Sequence, residues 1–168
     1  MTAGIALGSN IEPRLQYLQR ASQHLRNLAI PESPFLTSHV YETSPIDCPQ
    51  GSPPFLNAAL ELSTSLSPLT LLAELLRIES LLGRPTLHAR NSPRPLDLDL
   101  LYCDTVTLNS PELILPHPRL TSRRFVLQPL SDIRPDLTFD TKTVEQWLES
   151  SNPSEEVKII SDYNLISG

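Results

Sequence analysis

The chain has 168 residues and a mass of 18.7 kDa, a length that suits one domain able to bury roughly 70% of its unfolded surface. Hydrophobic residues make up 39%, and no apolar run approaches the ~18 residues of a bilayer-crossing helix, which excludes a helical membrane protein. A net charge of −6 and a pI near 5.1 exclude a general nucleic-acid binder, whose binding domain is normally basic.

The first residues, Met1-Thr2-Ala3-Gly4-Ile5-Ala6-Leu7-Gly8, lack a basic n-region and read directly as a strand over 3–8, so a cytoplasmic chain without a cleavable signal is expected. Gly8-Ser9-Asn10 is turn chemistry that ends it. Leu15, Leu18, Ala21, Leu25 and Leu28 recur at three or four, the signature of an amphipathic helix. Residues 35–43 and 55–66 carry β-branched and aromatic residues in broken alternation and predict two strands. The connection between them is longer than a hairpin needs, and such loops are more often functional than idle.

Ser67 as N-cap, Pro68 at the first helical position, the leucines 72, 75, 76 and 82, and Gly83 as the stop predict a second helix. A strand over 96–102 follows, then a small hairpin within 103–111, a short helix near 122–130 and another over 143–149 with Trp147 packing inward. The order strand, helix, strand, strand, helix, strand predicts a split βαβ arrangement: an α+β sandwich, with an antiparallel sheet and its helices mainly on one face. No repeat or linker divides the chain, so a single domain over 1–168 is expected. Cys48 and Cys103 show no metal or redox spacing and read as small hydrophobes.

Basic residues are concentrated. Arg77, Arg84, Arg90 and Arg94 face only Glu79 within 77–94, and an Arg-dense stretch in an acidic protein points to a discrete anion site, because the guanidinium fork suits phosphate. Just beyond lie Asp97 and Asp99, which share one strand face roughly 7 Å apart. Two carboxylates so placed repel unless a cation sits between them. A carboxylate pair suited to Mg²⁺ beside guanidinium groups suited to phosphate is what a nucleoside triphosphate requires. Two blander readings stay open: a half-buried strand with a wet acidic face, and structural salt bridges among these residues. His117, held between Pro116 and Pro118 and followed by Arg119, Arg123 and Arg124, suits a group that must point at one atom, or an ordinary polar loop residue. No Gly-rich phosphate loop opens a helix, so phosphate binding would fall to side chains and metal.

The run Arg90, Arg94, Asp97, Asp99 at these spacings resembles the signature of the 6-hydroxymethyl-7,8-dihydropterin pyrophosphokinases of folate biosynthesis. Gly8-Ser9-Asn10, Tyr41-Glu42-Thr43-Ser44-Pro45, Phe55-Leu56-Asn57-Ala58-Ala59, Arg77-Ile78-Glu79 with Gly83-Arg84, and Pro116-His117-Pro118-Arg119 leading to Arg123 and Phe125 fall in the family's order. The resemblance covers about 4–136 and leaves a small C-terminal extension over 137–168. Asn91 stands where Trp is common, Thr86 where many relatives carry Arg, and Pro118 where an aromatic residue often follows the His.

The resemblance implies a ferredoxin-like βαββαβ fold and transfer of pyrophosphate from ATP to the pterin hydroxymethyl group, releasing AMP. Asp97 and Asp99 would hold two Mg²⁺ ions, with Arg90 and Arg94 acting on the transferring group. Glu79, Arg84, Arg90, Arg94, Leu100, His117 and Arg123 would contact ATP. Thr43, Ser44, Ile46, Asn57, Asn91 and Asp97 would read the pterin, with Phe55 and Phe125 stacking on it. Small-molecule substrates, no nucleic acid, no membrane and a monomer complete the expectation. A catalytically impaired pterin- or nucleotide-binding module and a different two-metal phosphohydrolase are the alternatives.

Overall fold

The computed structural model describes residues 1–45, 50–84 and 93–165. The central strand β1 (Thr2–Ser9) is followed by helix α1 (Arg14–Arg26), whose buried stripe of Leu18, Ala21 and Leu25 recurs at three or four. The stretch 35–43 is not one strand: it divides at Ser38 into β2 (Phe35–Thr37) and β3 (His39–Thr43). Both pair with β4 (Phe55–Ser63), and the break is bridged by side-chain chemistry: Ser38 N donates to the Ala59 carbonyl at 2.9 Å, and Ala59 N donates to Ser38 Oγ at 2.8 Å. The hydroxyl thus supplies the acceptor that the bulge removes from the ladder.

Helix α2 (Pro68–Leu81) starts as expected, with Ser67 Oγ accepting from Thr70 N, and the chain leaves it through Gly83 at a φ of +94°. Only glycine adopts that conformation without strain. Strand β5 (Asp97–Cys103) forms the edge of the sheet. The small hairpin lies later than expected, as β6 (Leu108–Asn109) and β7 (Ile114–Leu115). A 3₁₀ turn (Leu120–Ser122) leads into α3 (Arg124–Ile133). Two short strands, β8 (Thr138–Phe139) and β9 (Lys142–Thr143), precede α4 (Val144–Ser150), which opens with a capping box between Thr143 and Gln146.

The sheet runs β10-β3-β4-β1-β5, all pairs antiparallel. Strands β3, β4, β1 and β5 follow the ferredoxin-like βαββαβ order. The fifth, β10 (Val157–Asn164), comes from the C-terminal extension and was not legible in the sequence; it adds to the free edge of β3 with Val157 opposite Thr43. One face is covered by α1 and α2 through Leu18, Leu25, Leu71, Leu75 and Ile78, packed on Ile5, Leu7 and Leu98. The other carries a smaller second core, where α3 and α4 lay Val126, Leu127, Leu130 and Val144 against Ala59, Leu101 and Tyr102. Trp147 packs into this second core as expected and donates its indole N–H to the Phe139 carbonyl at 3.1 Å. Cys103 is buried as a small hydrophobe, whereas Cys48 lies outside the described residues.

Candidate active site

The site is built on the sheet face that α3 covers only in part. Register places three residues abreast on β4, β1 and β5: Asn57, Gly8 and Asp97 in one row, and Ala59, Ala6 and Asp99 in the next. The middle strand contributes only Gly8 and Ala6, so the floor between its neighbours is low. A Cβ on Gly8 would lie 3.4 Å from Asn57 Oδ1, 3.7 Å from Phe55 and 3.8 Å from Asp97 Cβ. The result is a cleft of about 270 Å³ over these rows. Asn57 and Asp97, two strand spacings apart, stand about 10 Å from each other along the sheet.

At the β4 end the cleft is lined by Thr43, Ser44, Phe55, Asn57 and Phe125. Asn57 is buried and donates its amide N–H to Thr43 Oγ1 at 2.6 Å, which orients its Oδ1 as the remaining acceptor. At the β5 end the lining changes to Arg94, Asp97, Asp99, Arg119, Ser122 and Arg123. Arg94 Nη2 pairs with Asp97 Oδ2 at 2.8 Å, Arg84 Nη1 with Asp97 Oδ1 at 2.7 Å, and Arg123 Nη1 approaches Asp99 Oδ2 at 3.7 Å. Two arginines also join the ends: Arg94 lies 5.5 Å over the Phe55 ring and Arg123 5.4 Å over the Phe125 ring. The Nε–H of Arg94 is buried and has no hydrogen-bond partner among the described residues.

Burial, and secondarily the charge of Asp97, push the Asp99 carboxyl above its ordinary range. Burial lowers His117 below its ordinary value, against the opposing pull of Asp99. His117 Nδ1 accepts from Arg119 N at 3.1 Å, which assigns the ring proton to Nε2, and its backbone N–H donates to the Leu101 carbonyl on the outer edge of β5.

Glu79 and Leu100 do not line the cleft. Glu79 reaches β5 from the α2 side: its Oε1 accepts from Leu98 N at 2.6 Å and from Arg84 Nη1 at 2.5 Å. It therefore covers an outward N–H of the edge strand and anchors Arg84, which in turn holds Asp97. Burial pushes its carboxyl up to about 7. Leu100 turns its side chain into the α1/α2 core, leaving its backbone as the part that can meet a ligand. Ile46, Thr86, Arg90 and Asn91 lie outside the described residues.

Three polar contributors were missed from sequence. Arg119 and Ser122 reach the cleft from the 3₁₀ turn and its approach, and Glu155 reaches it from the extension. Buried Asn10 is a fourth residue that builds the site without lining it: Arg94 N donates to its Oδ1 at 2.8 Å, and its own N–H donates to the Arg94 carbonyl at 3.2 Å. The Gly8-Ser9-Asn10 turn was visible in the sequence; its partner 84 residues away was not.

The chain is thus a ferredoxin-like α+β protein whose cleft carries two aromatic rings and a buried amide at one end and an arginine-ringed carboxylate pair at the other. The model of the family described as 7,8-dihydro-6-hydroxymethylpterin-pyrophosphokinase (HPPK) matches residues 4–135, and the chain belongs to that family. It is an ATP-dependent diphosphokinase of folate synthesis, transferring pyrophosphate to the hydroxymethyl group of the reduced pterin. A Bacillus subtilis 2-amino-4-hydroxy-6-hydroxymethyldihydropteridine pyrophosphokinase is 43% identical over 78% of this chain and 77% of its own length. The Haemophilus influenzae protein of the same name is 35% identical over 99% and 97%. A pea mitochondrial folate synthesis bifunctional protein is 40% identical, but this chain spans only 28% of it. Among solved structures, a Plasmodium falciparum HPPK-DHPS with SDX-DHP shares the fold, with a TM-score of 0.66 at 14% identity over 89% of this chain and 44% of that one.

Proposed function

We propose that the two ends of this cleft divide the reaction: the β4 end holds the pterin and the β5 end holds the ATP triphosphate. The observation that carries the reading is the continuity of one cleft from Phe55, Phe125 and Asn57 to Arg94, Asp97, Asp99 and Arg123. Phe55 and Phe125 offer aromatic faces to the ring, while Asn57 Oδ1 and groups around Thr43, Ser44 and Ile46 read its edge. The hydroxymethyl oxygen then faces the β-phosphorus. A new oxygen–phosphorus bond forms there, the bridging oxygen leaves with AMP, and the hydroxyl proton is lost.

Two Mg²⁺ ions are the expected cofactors, and the residues fit them. Asp97 and Asp99 are hard oxygen donors on one strand face, Asp99 is raised first by burial and then by the charge of Asp97, a repulsion that a cation would relieve, and no third ligating side chain joins them among the described residues. Mg²⁺ typically takes one or two carboxylates plus substrate phosphates. Bound there, it would polarise the phosphates and make the hydroxyl more acidic. Arg94 presents its unpaired Nε–H, with Arg123 and Arg90, to phosphate oxygens whose charge shifts during transfer. His117 offers Nε2–H as a neutral donor from the flank of β5. Arg84 acts at one remove, holding Asp97 from the Glu79 side. We further propose that residues 1–168 work as one domain, a monomer, in the cytoplasm.

Phosphorus NMR of the protein with Mg²⁺ and ATP, with and without 6-hydroxymethyl-7,8-dihydropterin, tests this reading. AMP and a pterin diphosphate should appear only with pterin and should be lost in Asp97→Ala and Asp99→Ala. ADP and phosphate without pterin would replace it with a hydrolase, and pterin binding without turnover would replace it with a binding module.

A further inference from the structure

The family match ends at residue 135, yet the C-terminal extension returns to the cleft. After α4 the chain turns at 152–156 and enters β10, where Val157 lies opposite Thr43. The turn is held in shape: Asn152 Oδ1 accepts from Ser154 N at 3.1 Å and from Ser154 Oγ at 2.7 Å, and Glu155 N donates to the Asn152 carbonyl at 3.3 Å. It is also tied to the site. Arg124, the neighbour of Phe125, donates to the Leu148 carbonyl at 3.2 Å and to Ser151 Oγ at 2.8 Å.

This scaffold sets Glu155 into the cleft wall beside Thr43, Ser44 and Phe125, which also line an adjoining cavity of about 260 Å³. Its Oε2 is buried and has no hydrogen-bond partner among the described residues. A buried, unpaired carboxylate oxygen is costly, so a donor is called for. Phosphate offers none and would be repelled. The 2-amino-4-oxo edge of a pterin offers several, namely the two 2-amino hydrogens and N3–H, more than Asn57 Oδ1 can accept by itself.

We propose that Glu155 is a specificity-determining residue of the pterin pocket, its carboxylate accepting hydrogen bonds from the 2-amino and N3–H groups of the substrate. This rests on the assignment of the β4 end to pterin. Through β10 and the Arg124 tie, a segment outside the family match becomes a wall of the substrate site.

The test compares wild type, Glu155→Gln and Glu155→Ala on 6-hydroxymethyl-7,8-dihydropterin and on its counterpart lacking the 2-amino group, with binding of Mg²⁺ and a non-hydrolysable ATP analogue measured by calorimetry. Glu155→Ala should raise KM for the natural pterin about 10- to 100-fold, the loss typical of a hydrogen bond to a charged group. Its kcat and its affinity for the ATP analogue should stay within about twofold by the same reasoning. Wild-type preference for the pterin over its 2-desamino counterpart should shrink by the same factor, with Gln in between. An unchanged KM, or a KM raised equally for both substrates, overturns the proposal as a merely structural role. If wild type binds the ATP analogue but turns over neither pterin, the assignment of the cleft itself falls.

Discussion

Arg94 is the residue on which the proposed phosphate end converges. Its backbone is clamped on both sides by Asn10, one nitrogen of its guanidinium holds Asp97, and its Nε–H is buried without a partner among the described residues. Loss of one such preorganised donor costs about 3 kcal/mol of transition-state stabilisation. Arg94→Ala should therefore lower kcat by about 10²- to 10³-fold while moving the pterin KM little, as steady-state kinetics will show. Glu79 poses the opposite case, a carboxylate whose burial outweighs its ion pair with Arg84. With its folded pKa raised to about 7, it contributes stability fully below the unfolded carboxyl range and loses it as pH rises through 7. Glu79→Gln keeps an acceptor for Leu98 N and removes the titration. Urea unfolding should show the variant gaining on wild type by about 2 kcal/mol between pH 5.5 and pH 8. Of these residues, the Asp97/Asp99 pair and the arginines beside it could be read from spacing. The place of Glu79 behind β5 could not, because a helix and an edge strand meet there only once folded.

Among the elements, the central strand β1 carries the consequences furthest. In its third row across the sheet, Gly4 lies between Glu61 and Tyr102, and Tyr102 reaches over it to donate to Glu61 Oε2 at 2.5 Å. A Cβ on Gly4 would sit 2.1 Å from that ring, which is also packed on Phe139 and has no room to retreat. Gly4→Ala should destabilise by about 3 kcal/mol, the upper range for overpacking, read as a lower denaturation midpoint with an unchanged m-value. Residues 96–102 alternate as a strand should, but the shift between Gly4 and Ile5 inserts Leu101, so that Leu101 and Tyr102 both serve the second core. Helix α2 was legible to its caps, since Ser67, Pro68 and Gly83 act on their own neighbours. The break at Ser38 was not, because it depends on a hydroxyl replacing a ladder acceptor across the sheet.

The whole molecule is a sheet with a core on each face, and a buried carboxylate pairs the second layer to it. Arg134, at the end of α3, donates to Glu61 Oε2 at 2.8 Å and Oε1 at 3.1 Å beneath the Tyr102 hydroxyl. Arg134→Ala leaves Glu61 buried without its counter-charge, and breaking such a pair costs about 3 kcal/mol even where nothing else is lost. We expect a lower thermal midpoint near neutral pH and partial recovery in Arg134→Ala/Glu61→Gln, read by a double-mutant cycle. The local signals in the sequence, its periodicities, caps and turn residues, determined the βαββαβ order, the acidic pair and the motifs that place the chain in its family. They did so because each depends on residues within a turn or two of one another. Tertiary structure alone decided the second core, the Asn10 clamp, the cover of Glu79 over the edge of β5 and the return of the C-terminal segment to the cleft. Each of these joins groups far apart in the chain whose side chains leave no periodic trace, and only the register of the sheet and the burial of unpaired polar atoms bring them together.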